Sequence, residues 1–153
     1  MIEKDDADIA IGNFVEFNNH NGTTLFHIMD DANKLKKVYT APAWFKNEYS
    51  NSFDIDQCFA NVWGKLFKKE LFATARFPEV KVNEGDFLLW KVYLLASKIS
   101  YVNDAVYVKR IGVASAVSEQ FADVQRYSIS AIEERLTILS MIQQQKAKNI
   151  GGA

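Results

Sequence analysis

Asp8-Ile9-Ala10-Ile11-Gly12-Asn13-Phe14-Val15-Glu16-Phe17 is the stretch on which the fold of this chain turns. It is apolar, β-branched and aromatic, which marks a strand with at least one buried face. Gly12 in its middle signals a bulge or a close backbone approach. Asn18-Asn19-His20-Asn21-Gly22 follows as the strongest turn signal in the sequence, and residues 23–29 read as a second strand, so 8–29 form a hairpin with a longish loop. Asn21-Gly22-Thr23 is formally a glycosylation sequon, but Asn-Gly fits a turn better. Residues 36–40 are a third short strand.

Further on the period changes. Phe53, Cys58, Phe59, Val62 and Trp63 suit a helix begun near Ser52 or Asp54, and residues 66–75 suit a second short helix before Arg76-Phe77-Pro78. Residues 84–97 are the clearest central helix, apolar almost all round as a buried helix is. Residues 99–102 and 105–109 read as a strand pair across the turn dipeptide Asn103-Asp104. Residues 119–148 make one long helix with Ile129, Ile132, Leu136, Leu139 and Ile142 in a continuous stripe, and 149–153 read as a frayed tail. The order is β-hairpin, helices, buried helix, strand pair, long C-terminal helix: a mixed α/β chain expected to form one domain over residues 1–153.

Composition bounds the function. The 153 residues are 48% apolar and 24% charged, with 20 aromatic rings (11 Phe, 6 Tyr, 3 Trp) that must largely pack on one another. Only 7 Gly and 2 Pro serve turns, which favours short connections. A net charge of −1 gives no footprint for nucleic acid. The single cysteine, Cys58, excludes an internal disulfide, fits a reducing compartment and reads as a buried small hydrophobe. No apolar run reaches membrane-spanning length, and the acidic N-terminus is not signal-like. No GxGxxG or Walker sequence cradles a phosphate. His20 and His27 lack spaced partners for zinc.

Three groups carry possible chemistry, each with a structural alternative. Glu84 and Asp86 start the central helix beside Phe87 and Trp90, where a carboxylate can act as a general base. Equally, Asn83 can cap that helix with Asp86 at its third position, and acidic residues there gain from the dipole; that reading is favoured. Lys65, Lys68 and Lys69 can meet a phosphate or an acidic acceptor, or form a solvated lysine face, and Trp63 can stack on a sugar or fill the core. Asp6-Ala7-Asp8 is a formal DxD string, but it precedes a strand and reads as a solvated terminus.

Taken in order, Ala7-Asp8-Ile9-Ala10-Ile11-Gly12, the run 63–72 from Trp63-Gly64-Lys65, Arg76-Phe77-Pro78-Glu79, Asn83-Glu84-Gly85-Asp86-Phe87 and the run 99–110 resemble the family-2 inverting glycosyltransferases with a GT-A fold. The resemblance covers roughly residues 5–115 and is to the second, acceptor-side half of the catalytic domain in bacterial polysaccharide-building members. It implies Glu84 and Asp86 as the catalytic pair, and Trp63, Lys65 and Arg110 as acceptor-binding residues. It also implies that a complete member holds Mg²⁺ or Mn²⁺ on an upstream DxD, whereas this chain has no cofactor of its own. The family's base falls on Gly85, a turn glycine on Val80 and a common aromatic on Lys109. The chain is therefore expected to be a truncated or remnant piece, or one cut from a longer protein, inactive alone on a nucleotide-sugar. It is expected in the cytoplasm, free or peripheral to the inner membrane face, with a saccharide acceptor as partner. The alternative is a non-catalytic module that self-associates through a bare strand edge or the C-terminal helix.

Overall fold

A computed structural model of the chain describes residues 1–26, 35–79, 84–112 and 121–151, with side chains in the last stretch from 128 to 146. The architecture is mixed α/β. Strand β1 (Ile9–Asn18) is the axis of one sheet. On one side it pairs in parallel with β5 (Ile99–Ile111), whose outer edge carries β3 (Lys36–Tyr39) antiparallel. On the other side β1 is shared: its first half pairs with β4 (Lys65–Phe67) and its second with β2 (Thr24–Phe26), both antiparallel. The expected hairpin is therefore present, with Glu16 opposite Leu25, and its loop is held by Asx turns at Asn18 and Asn21. The expected irregularity falls at Gly12–Phe14, where the β1–β5 register shifts.

Two readings of the sequence are corrected. Residues 66–75 are not a helix: Gly64 turns the chain at φ 68° and lays β4 along β1, and only a 3₁₀ turn (Lys69–Phe72) follows. A short apolar run fits a strand as well as a helix, so periodicity there had little power to choose. The lysine face thus does not exist as a helix face. Nor are 99–102 and 105–109 a strand pair. Asn103 is fully buried, and its Oδ1 accepts from Asn13 Nδ2 at 2.5 Å and from Tyr101 OH at 3.2 Å, so one strand runs through the Asn-Asp dipeptide with Asn103 buried and Asp104 exposed.

Helices cover one face of the sheet: α2 (Ala41–Phe45, with Pro42 in its first turn), α3 (Ile55–Ala60) and α4 (Glu84–Leu95). A four-residue helix, α1 (Ile2–Asp5), precedes β1. Trp44 sits at the centre of the core, with the rings of Tyr39, Phe59, Tyr93 and Tyr101 at 5.3–6.0 Å. Cys58 is buried beside it, as expected. α4 buries Leu88, Leu89, Trp90, Val92 and Tyr93 but leaves Leu94 and Leu95 exposed, so it is less completely enclosed than its composition suggested.

The long helix is α5 (Phe121–Gly151), which continues through the residues 149–151 expected to fray. It docks on α4 and α2 through the bidentate pair of Arg135 with Glu48 (2.5 and 2.8 Å), with the guanidinium near the rings of Phe45 and Trp90, and through Lys91–Glu134 at 2.7 Å. Among the described residues no helix is long and apolar enough to cross a membrane.

Candidate functional site

Two of the candidate residues, Glu84 and Asp86, lie at the start of α4, beside the end of α3. Gly85, in the first turn of α4, lies against the last residue of α3: a Cβ at this position would sit 2.7 Å from the Ala60 carbonyl oxygen and 3.5 Å from Val62. Such contact seats the start of α4 on Ala60 and Val62, the segment that leads into Trp63-Gly64-Lys65. Glu84 is half-buried, and Asp86 is exposed as a whole residue while its carboxyl end is partly desolvated. Burial of its carboxyl holds Asp86 above the ordinary carboxylate value, and Glu84 adds to the shift, while a 3.3 Å hydrogen bond from Ser128 of α5 opposes it. The capping role read for Asn83 lies outside the described residues, as does Val80.

Trp63 is half-buried, neither wholly core nor free. Its ring stacks on Tyr107 of β5 (4.7 Å, 9°) and meets Phe14 edge-on at 4.9 Å. Lys65 is half-buried, and its ammonium donates to the carbonyls of Asn61 and, at 3.5 Å, Trp63. Burial lowers its pKa to about 7. Among the described residues no carboxylate forms an ion pair with it. Arg110 is exposed near the far end of β5, in register with Phe17, and no hydrogen bond or ion pair joins it to the corner among the described residues. Its neighbour Lys109 does turn inward, to Glu16 at 2.7 Å and Gln57 Oε1 at 3.0 Å.

Asp6-Ala7-Asp8 is tied into the fold, which corrects the reading of a solvated terminus. Asp8 accepts from Lys68 Nζ (2.9 Å) and from the backbone N–H groups of Ser97 (2.7 Å) and Lys98 (3.2 Å). Its desolvation is outweighed by these donors, so its pKa is lowered. Asp6 pairs with Lys98 at 3.1 Å and Lys68 at 3.7 Å. With their oxygens committed to lysines and amides, these carboxylates do not fit a divalent cation.

The sequence offered little signal for two further features. One is the buried polar set around Asn13, which donates to Asn103 and Phe53 O and accepts from the Phe14 N–H and the Cys58 thiol. The other is a hollow of about 220 Å³ walled by Glu48, Tyr49, Asp86, Ala131, Ile132 and Arg135. Glu48 and Arg135 are 87 residues apart, a distance at which no spacing rule applies. A chemistry-based clue did exist: an arginine in the middle of an apolar helix face wants a carboxylate partner.

No family model matches the chain. It is similar to two curated proteins of Streptococcus pneumoniae serotype 4. It is 36% identical to glycosyltransferase GlyA over 134 residues, which is 88% of this chain and 19% of that protein. It is 26% identical to glycosyltransferase GlyG over 121 residues, which is 79% of this chain and 40% of that one. The chain thus spans about a fifth and two fifths of the length of these relatives.

Proposed function

We propose that the chain is the acceptor-side part of a family-2 glycosyltransferase with a GT-A fold, of the bacterial polysaccharide type. In this reading it serves transfer of a sugar from a nucleotide-sugar to a saccharide acceptor, in the cytoplasm or at the inner face of the membrane. The observation that carries the reading is the Gly85 corner, which seats the start of α4 on the segment leading into Trp63 in a chain whose homologues include glycosyltransferases. The acceptor ring lies near Trp63 and Tyr107, whose stacked pair offers an apolar edge for it. Glu84 is the remaining carboxylate for deprotonating the acceptor hydroxyl, and Asp86 holds the acceptor side of the cleft. Arg110 acts only at the far end of β5. When bound, a divalent metal supplies charge neutralisation at the departing diphosphate. In the proposed enzyme that metal and the donor are held by residues other than these 153. Calorimetric titration of the chain with uridine-diphosphate sugars and Mn²⁺ is therefore expected to show no micromolar site. A micromolar binding heat would defeat this division of labour.

A second reading, self-association, is favoured by one observation. Ile129, Ile132 and Leu136 on α5 are each more than half exposed, in line with the less exposed Leu139 and Ile142. Light scattering should then give a mass rising towards a dimer with concentration. A monomer across the accessible range would remove the reading.

A further inference from the structure

The hollow beneath α5 has no part in the chemistry assigned above beyond sharing Asp86. It has three properties of a small-ligand site. Its walls come from residues that offer both acceptors and donors: Glu48, Asp86, Arg135 and Tyr49. Tyr49 is 86% exposed, so a large ring stands at its mouth without packing on the fold. Finally, a narrower recess of about 60 Å³ shares Glu48, Asp86 and Arg135 with it and is lined further by Gly85, Leu89 and Trp90. Trp90 is 3% exposed, and its indole Nε1 has no hydrogen-bond partner among the described residues.

A buried N–H without an acceptor is costly, and an oxygen reaching it from the recess, whose wall Trp90 forms, would recover that cost. The combined space is below the roughly 300–1,000 Å³ of pockets for drug-sized ligands, so the occupant is small. Its lining is about as polar as apolar, which disfavours a hydrocarbon. Arg135 neutralises Glu48, and Asp86 leaves one negative charge over, which disfavours an anionic ligand. A neutral ring bearing several hydroxyls satisfies all of these conditions.

We propose that this hollow and its recess bind one neutral sugar ring, with a ring hydroxyl or hydroxymethyl oxygen accepting from Trp90 Nε1, the carboxylates of Asp86 and Glu48 accepting from other hydroxyls, and Tyr49 covering the mouth. That the ligand is a saccharide rests on the acceptor reading above, and the hollow would hold a unit of the acceptor away from the Trp63 edge. α5 then supplies a wall of the site through Ala131, Ile132 and Arg135 as well as packing on α4.

The test follows indole N–H signals of the ¹⁵N-labelled chain during titration with methyl β-glucoside, methyl β-galactoside and methyl N-acetyl-β-glucosaminide, with glycerol as control. Trp90 is assigned by Trp90→Phe. At least one glycoside should shift the Trp90 signal saturably, with a millimolar Kd, and leave Trp44, whose buried Nε1 also lacks a partner, in place. Tyr49→Ala and Asp86→Asn should each raise that Kd at least fivefold, with the other indole signals unchanged as the check on folding. Glycoside effects no larger than glycerol's, a shift confined to Trp63, or a Kd indifferent to both substitutions would overturn the site. Trp90 binding without sugar transfer by the longer enzyme would defeat the transferase reading alone. Transfer without a Trp90 shift would defeat this site alone.

Discussion

Gly85→Asp is expected to lower the unfolding free energy by about 2–3 kcal/mol, the upper part of the range for an overfilled site. In the family that this chain resembles, an aspartate at this position is the base, so the substitution looks like a repair. The packing says otherwise. The new Cβ would lie 2.7 Å from the Ala60 carbonyl oxygen, which is backbone at the end of α3 and cannot swing aside as a flexible side chain does. Opposing gains are smaller: replacing helical glycine returns up to about 1 kcal/mol, and an acidic residue in the first turn another 0.3–1 kcal/mol, roughly. Glu84 and Asp86 on either side take back part of the second gain by repulsion. Gly85→Ala separates the causes, since it has the same Cβ and no charge. Urea unfolding should show most of the loss in the alanine variant already. An alanine variant as stable as the parent would mean that α3 and α4 are not held this close.

The same residue shows what was legible in the sequence and what was not. The β1–β2 hairpin, β3, α4 and α5 were legible because each announces itself locally, by an apolar β-branched run, by Asn-Gly, by all-round apolarity or by a helical stripe. Residues 65–67 and 103–104 were misread because tertiary pairing decides them. β4 exists only because β1 offers an edge, and Asn103 stays in a strand only because Asn13 and Tyr101 meet its side chain. The parallel β1–β5 pairing joins residues about 90 apart, beyond any local pattern. Of the candidate residues, Glu84 and Asp86 lie at the start of α4 on the segment that leads into Trp63 and Lys65, and Arg110 lies at the far end of β5. From the sequence Gly85 was a missing side chain. In the fold it is the contact on which the corner closes.

Lys65 leads to the other large effect. Its amine is buried among carbonyls, with Cys58 as the titratable neighbour that affects it, and its pKa falls from 10.5 to about 7. Folding therefore disfavours its charged form, so stability is least where both states are protonated and rises as the folded state releases its proton first. From pH 7 towards 9 the unfolded chain binds up to one proton more than the folded one. The slope approaches 1.4 kcal/mol per pH unit, giving a gain of about 2 kcal/mol over that interval. Above pH 9 the gain stalls. The Cys58 thiol, ordinarily near 9, is pushed up to about 12 by burial, so the unfolded chain loses that proton first and the two slopes cancel. Near pH 10 and above, buried Tyr93 and Tyr101, both raised by desolvation, add their own loss. Maximum stability should thus lie near pH 9–10, higher than for most soluble proteins. Lys65→Met keeps the stem and removes the charge. It should raise stability at pH 7 by about 1–3 kcal/mol, less than the full titration because the Asn61 carbonyl loses its donor. It should also flatten the profile between pH 7 and 9, leaving only the decline above 9. Denaturant midpoints of the two proteins at half-unit steps of pH measure both effects. Parallel profiles would show that the ammonium of Lys65 is solvated in the folded chain, and that its place at the corner is one of reach towards an acceptor, not of burial.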